Sequence, residues 1–415
     1  MDSDKYTLAD FIEYSDTDIF KKTEIFYEYA QDYIDKKYYT YFRTLLSPCK
    51  PRVKILDTYT GKEKEMIMLA SNNYLGLSYR PEVIEAGIKA INRYGAGLCG
   101  SPLLCGYSEA HRNLEKKLAE FKSCEDAMIF PAGFSTNMGT ITALMRQNDV
   151  VITDRLDHAS IIDGARFSGA MLRTFGHNDL DKLKRILKTY RENGKLIIVE
   201  GVYSMDGDLP LLKEIKELAC EYNARLMLDE AHATGVIGKT GKGSAEHFNL
   251  NGELDIIMGT FSKALGSMGG FICAKKEVIN YIRFYARSYL FSASLSPVIV
   301  ACVSKALEII KSEPELREKL WNNISYMKEN LVSLGFDIGN SHSAIIPILI
   351  GDGIILRKMT TEIHEKGIFL NSVFYPAVPK EKSRIRLSLM ATLSKDDLDT
   401  ALNILEDTGK KHGVI

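Results

Sequence analysis

Along most of the chain, short β-branched apolar runs alternate with segments whose apolar residues recur at helical spacing. The runs 127–130, 150–153, 196–200, 225–229, 256–259 and 270–274 predict strands. Between them, 81–94, 111–121, 179–192 and 212–222 predict amphipathic helices, with Leu114, Leu118 and Phe121 forming one apolar face. Apolar strands separated by helices imply a mostly parallel sheet covered on both faces. Glycine clusters at 95–97, 238–241 and 266–270 mark strand ends, where loops gather and ligands bind in such sheets. After Pro297 the pattern changes to a helix over 297–312, another ending near Gly335, and strands at 345–350 and 384–389. Residues 8–42 are helix-compatible, with Phe26, Tyr29, Ala30 and Tyr33 at helical spacing, until Pro48, Pro51 and the Thr60-Gly61 turn break the pattern. The expected organisation is α/β: a helical arm over 1–60, a large domain over 61–296, and a smaller C-terminal α+β domain over 297–415.

Composition narrows the function classes. With 53 Lys and Arg against 54 Asp and Glu, the chain has no overall field for nucleic acid or an anionic membrane. The 7 cysteines contain no CxxC pair, so no zinc knuckle or thioredoxin-like motif is expected, and they read as reduced thiols of a cytoplasmic protein. The N-terminus lacks the basic-then-apolar order of a signal peptide, and no apolar run approaches a membrane span. One skew stands out: residues 1–42 hold twelve aromatics, among them Phe11, Tyr29, Tyr33 and Tyr38. They predict either a packing surface or a membrane-facing entrance.

The chemistry concentrates at strand ends. Gly259-Thr260-Phe261-Ser262-Lys263 places one lysine between hydroxyls in a small-residue turn. A buried lysine loses affinity for its proton and becomes a nucleophilic amine, as Schiff-base chemistry requires. The strand ending at Asp229 delivers a carboxylate, with His232 three residues on. A carboxylate so placed can keep a pyridine nitrogen protonated. Gly133-Phe134 follows a strand and opens a helix, offering N–H groups to a phosphate. His158 follows the strand 150–153 and sets an imidazole at the same edge of the sheet.

With these residues in order, the chain resembles the α-oxoamine synthases, a pyridoxal-phosphate family of fold-type I. The resemblance runs from about Tyr41 to the C-terminus. It is carried by Ser71–Leu77, Gly95-Ala96-Gly97, Gly106 to Glu115 with His111, Gly133-Phe134, Asp157–Ser160, Gly201–Gly207, Asp229–His232, Thr260–Lys263, Phe291-Ser292 and Arg384–Leu389. It implies a fold-type I transferase with a seven-stranded, mostly parallel sheet and pyridoxal 5'-phosphate as cofactor, with no metal. By resemblance, Lys263 bonds the cofactor and moves protons, Asp229 pairs with its pyridine nitrogen, and His232 and Ser204 contact the ring oxygen. His158 stacks on the ring, while Gly133, Phe134, Thr260 and Ser262 surround the phosphate. Ser292 and Ala293 reach the phosphate of a neighbouring subunit, implying a homodimer with shared sites. Asn72 and Arg386 bind the amino-acid carboxylate, a role that suits the planar fork of arginine.

The implied reaction condenses an amino acid with an acyl-CoA or acyl-carrier-protein thioester, releasing CO2 and thiol and leaving an α-amino ketone. The wording at 256–263 and 388–392 is most similar to bacterial serine palmitoyltransferases; the terminal 409–415 also resembles glycine C-acetyltransferases. The alternatives are a glycine C-acetyltransferase, an 8-amino-7-oxononanoate synthase-like activity and a fold-type I aminotransferase. One departure concerns the donor: Ser101 is followed by Pro102, Leu103, Leu104 and Cys105, which predicts an apolar acyl chain.

Overall fold

The computed structural model describes all 415 residues, which divide into two compact units, Met1–Ser71 with Lys319–Ile415, and Asn72–Glu318. The second unit carries the predicted sheet. Its strands are β1 (Asp126–Phe130), β2 (Val150–Asp154), β3 (Met171–Phe175), β4 (Lys195–Glu200), β5 (Arg225–Asp229), β6 (Ile256–Thr260) and β7 (Gly270–Ala274). They lie in the order β1-β7-β6-β5-β4-β2-β3. Every neighbouring pair is parallel except those of β7, which runs antiparallel to β1 and β6. Strands β2, β4 and β6 are buried along their whole length, as a sheet covered on both faces requires. Parallel crossovers bring the C-terminal ends of β2, β4, β5 and β6 to one edge, where Asp154, Glu200, Asp229 and Thr260 terminate their strands.

The helices that matter for the site are α1 (Glu109–Lys122), α2 (Gly133–Leu144), α3 (Ala159–Ser168) and α4 (Pro297–Ser312). Residues of α2, α3 and the sheet share one buried core that includes Phe130, Ile141, Ile161, Met258 and Tyr289. The unit boundaries differ from the arm, large-domain and small-domain limits at 60/61 and 296/297. Helix α4 packs on the helix Pro81–Tyr94 so tightly that a Cβ at Gly87 would lie 2.8 Å from Cys302 Sγ, so this helix belongs to the sheet unit.

In the other unit, Thr44–Leu45, Arg52–Leu56 and Glu63–Met68 form an antiparallel ribbon that the strand Ile368–Phe369 extends in parallel. A three-stranded antiparallel sheet has Ser383–Ser388 between Ile345–Gly351 and Asn371–Val373. The aromatic arm folds as two helices, Ala9–Ile12 and Lys21–Asp35, rather than one continuous stretch. Asx turns interrupt it: Asp16 Oδ1 accepts from the N–H of Asp18, and Asp18 Oδ1 from that of Phe20. Phe11, Tyr29, Tyr33 and Tyr38 form a small core, on which the Arg357 guanidinium lies 5.0 Å from the Tyr33 ring while donating to the Ser3 carbonyl at 2.8 Å. No helix is long and apolar enough to cross a membrane.

Candidate active site

Asp229 ends β5 almost fully buried, and its carboxylate is held from two sides. Oδ1 accepts from the backbone N–H of Ala231 at 2.9 Å, and Oδ2 from the side-chain amide of Asn137, on α2, at 2.8 Å. The second amide hydrogen of Asn137 goes to Ser160 Oγ at 2.9 Å. Ser160 in turn donates from its hydroxyl (2.8 Å) and its N–H (3.2 Å) to His158 Nδ1. Because the N–H can only donate, Nδ1 is the unprotonated nitrogen and Nε2 carries the hydrogen. One chain of bonds thus fixes the carboxylate and orients the imidazole. Desolvation holds the His158 pKa below its ordinary value, with the charge of Asp229 opposing and that of Lys263 adding. The Phe134 ring stands edge-on to this imidazole, 6.4 Å away.

Lys263 follows β6 in a partly buried turn closed by a bond from the Gly266 N–H to its own carbonyl at 2.8 Å. Just before it, Thr260 Oγ1 sits 2.9 Å from Ser262 Oγ and donates to the Gly269 carbonyl at 2.9 Å. The N-terminus of α2 faces these hydroxyls: a Cβ at Gly133 would lie 3.0 Å from Thr260 Oγ1, so only glycine leaves that space open. The first N–H groups of a helix have no partner within it, which makes this opening an anion cradle.

His232 does not stand alone. Its Nδ1 is 2.6 Å from the Tyr74 hydroxyl, which also lies 3.2 Å from Asn72 Oδ1. Ser204 is buried in the turn after β4. Glu200, the last residue of β4, lies in cross-strand register with Asp229. Burial, with the negative charge of Asp229 adding, pushes its carboxyl well above the usual range; Lys263 and the backbone N–H groups of His158 and Ser204 pull the other way. Ser292 and Ala293 lie in the segment after the helix Arg287–Leu290, and Arg386 lies in the other unit, on Ser383–Ser388, donating to Ser388 Oγ at 2.7 Å. Asn137, Ser160, Tyr74 and Glu200 are contributions the sequence reading did not assign.

An opening at a helix N-terminus, a buried carboxylate held from two sides and a lysine in the turn after the adjacent strand fit the phosphate, ring nitrogen and aldehyde of pyridoxal phosphate. Asn137 Oδ1, buried and without a partner, adds an acceptor next to that carboxylate. Fold and site together define a fold-type I pyridoxal-phosphate transferase. The chain belongs to the family "Aminotransferase class I and II", whose model matches residues 64–405. The resemblance to α-oxoamine synthases is borne out by its relatives. A 4-hydroxy-2,2'-bipyrrole-5-methanol synthase of a Serratia species is 40% identical over 99% of this chain, which spans 63% of that relative's length. An 8-amino-7-oxononanoate synthase of Thermoanaerobacter pseudethanolicus is 43% identical over 91% of this chain and 94% of its own length. A solved serine palmitoyltransferase from S. paucimobilis matches with a TM-score of 0.91 and 31% identity, covering 96% of this chain and 100% of that one.

Proposed function

We propose that the protein is an acyltransferase that condenses an amino acid with an acyl thioester, with loss of CO2 and release of the thiol. The observation that carries this reading is the hydrogen-bonded series His158–Ser160–Asn137–Asp229 set at the same strand ends as Lys263. When bound, pyridoxal phosphate supplies an electron sink for the α-carbon of the amino acid. Asp229 keeps that sink effective by stabilising a protonated pyridine nitrogen, and Asn137 and the Ala231 N–H hold the carboxylate in position for it. Lys263 removes and returns the proton at the α-carbon. The hydroxyls of Thr260 and Ser262 and the N–H groups at Gly133 and Phe134 hold the phosphate. His158, with hydrogen on Nε2, orients the ring and donates to the reacting carbonyl side. His232 and Ser204 contact the ring oxygen, and Asn72 and Arg386 bind the substrate carboxylate. A C–C bond then forms between the α-carbon and the thioester carbonyl, the thiol leaves, and the carboxylate departs as CO2.

The best-supported substrates are serine and a long acyl thioester, carried by coenzyme A or a carrier protein, as in serine palmitoyltransferases of sphingolipid biosynthesis. Leu103 and Leu104 are exposed in the loop expected at the acyl side, in keeping with an apolar chain. The identity to an 8-amino-7-oxononanoate synthase favours a second reading of the same chemistry, with alanine and a pimeloyl donor. The reading includes a cytoplasmic homodimer with sites shared through Ser292 and Ala293. Free-thiol and CO2 release over a matrix of amino acids and acyl donors tests it. Release with a monocarboxylic acyl donor is expected. Faster turnover with succinyl or pimeloyl donors overturns the apolar-chain assignment. Keto-acid-dependent amino transfer without thiol release overturns the acyltransferase itself.

A further inference from the structure

His111 is buried to 2% exposure near the start of α1, outside the groups described above. Its Nε2 lies 2.8 Å from the carbonyl oxygen of Leu295. A carbonyl oxygen only accepts, so Nε2 carries the hydrogen and Nδ1 is a lone pair. That lone pair faces the Ser108 hydroxyl at 2.8 Å and the Ser108 N–H at 3.4 Å, completing the N-terminal cap of α1. Burial lowers the pKa of this imidazole, which favours the neutral form that both contacts require. The ring therefore spans two segments far apart in sequence: the glycine-rich loop 95–107, which leads into α1, and residues 291–296.

Other contacts join the same two segments. The Ser294 N–H donates to the Gly100 carbonyl at 3.0 Å, and Ser296 Oγ to the Ala96 carbonyl at 2.7 Å. At Gly106 a Cβ would lie 2.2 Å from the Gly100 oxygen and 2.6 Å from Ser294 Oγ, so loop and segment meet there without room for a side chain. We propose that His111 is a positioning residue that locks the glycine-rich loop and residues 291–296 into one rigid body. This rests on the reading above, in which the loop meets the acyl donor and Ser292 and Ala293 meet a cofactor phosphate. The lock ties acyl-donor recognition to cofactor retention. Imidazole is suited to it because its donor and acceptor sit at opposite ends of a rigid ring; the donor and acceptor of a glutamine amide share one end.

The test compares His111→Gln, which keeps a side chain able to cap α1, with His111→Ala and the unaltered holoenzyme. Three constants are read: cofactor dissociation from visible absorbance, the KM for the acyl thioester, and amino-acid affinity from the spectral change it causes. His111→Gln is expected to retain the fold, to weaken cofactor binding and raise the donor KM each by about five- to tenfold, and to leave amino-acid affinity unchanged. A change in only one of the first two constants, or in neither, overturns the lock. So does a proportionate loss in all three together with a lowered Tm, which would mark plain destabilisation. If the unaltered enzyme turns over no acyl thioester, the acyltransferase reading fails; unchanged cofactor affinity in His111→Gln would still overturn the lock by itself.

Discussion

The side-chain amide of Asn137 donates to Asp229 Oδ2 at 2.8 Å, joining the first turns of α2 to the end of β5. Replacing either residue should separate the charge of the carboxylate from its placement. Asp229→Asn removes the charge and is expected to lower turnover by on the order of a hundredfold or more, as for breaking a buried ion pair. Asn137→Ala keeps the charge but frees one oxygen, and should cost about tenfold. Steady-state thiol release checks both, and equal losses would contradict the division of roles.

Lys263→Ala is expected to abolish thiol release and the visible absorbance of the lysine-bound cofactor together. Retention of that absorbance would place the bond to the cofactor on another group.

Arg386→Ala should raise the KM of the amino acid by about a hundredfold, as loss of a two-pronged carboxylate contact implies, and leave cofactor affinity unchanged. Equal effects on both constants would point instead to a role in holding the strand Ser383–Ser388.

His177 supplies a pH prediction away from the chemistry. Burial by itself lowers its pKa, but bonds to Asp154 Oδ2 (3.2 Å) and Asp208 Oδ2 (2.7 Å) override this and raise it to about 9. A pKa raised on folding means the protonated form stabilises the protein. That contribution is complete below the ordinary histidine value near 6.5 and is lost as the pH rises through about 9. Thermal unfolding between these limits should show a decline in Tm that His177→Gln flattens.

Lys122 and Glu230 form an ion pair within the sheet unit, both nearly inaccessible, with Lys122 also donating to Thr234 Oγ1 at 2.8 Å. Lys122→Met leaves the buried Glu230 carboxyl without its cationic partner, and denaturant unfolding should show a loss of about 3–5 kcal/mol. Adding Glu230→Gln should recover part of it.

The sheet was legible because parallel strands buried on both faces are written as unbroken apolar runs. Gly270–Ala274 and Arg225–Asp229 have their predicted limits. The edge strand Met171–Phe175 was not read, since Arg173 and Thr174 give it no such run. Glu63–Met68 likewise opens with three charged residues. At the candidate site, Asp229 and Lys263 could be singled out because a charged side chain at or just after the end of an apolar strand is costly without a partner. Asn137 and Ser160 were not, because an amide or hydroxyl on a helix signals nothing until the fold brings it against a carboxylate or an imidazole.

The seating of Arg357 on the aromatic arm has a consequence during synthesis. Ser3, whose carbonyl it engages, is made 354 residues ahead of it. At roughly 5–20 residues per second, the arm waits for tens of seconds before the guanidinium that covers its tyrosines emerges from the ribosome. Once Glu318 has been made, the sheet unit can already be complete while a cluster of phenyl and phenol rings stays open to chaperones or to other nascent chains until Arg357 follows. The translation rate between Glu318 and Arg357 therefore sets how long a chain with a finished sheet unit remains sticky at its own N-terminus.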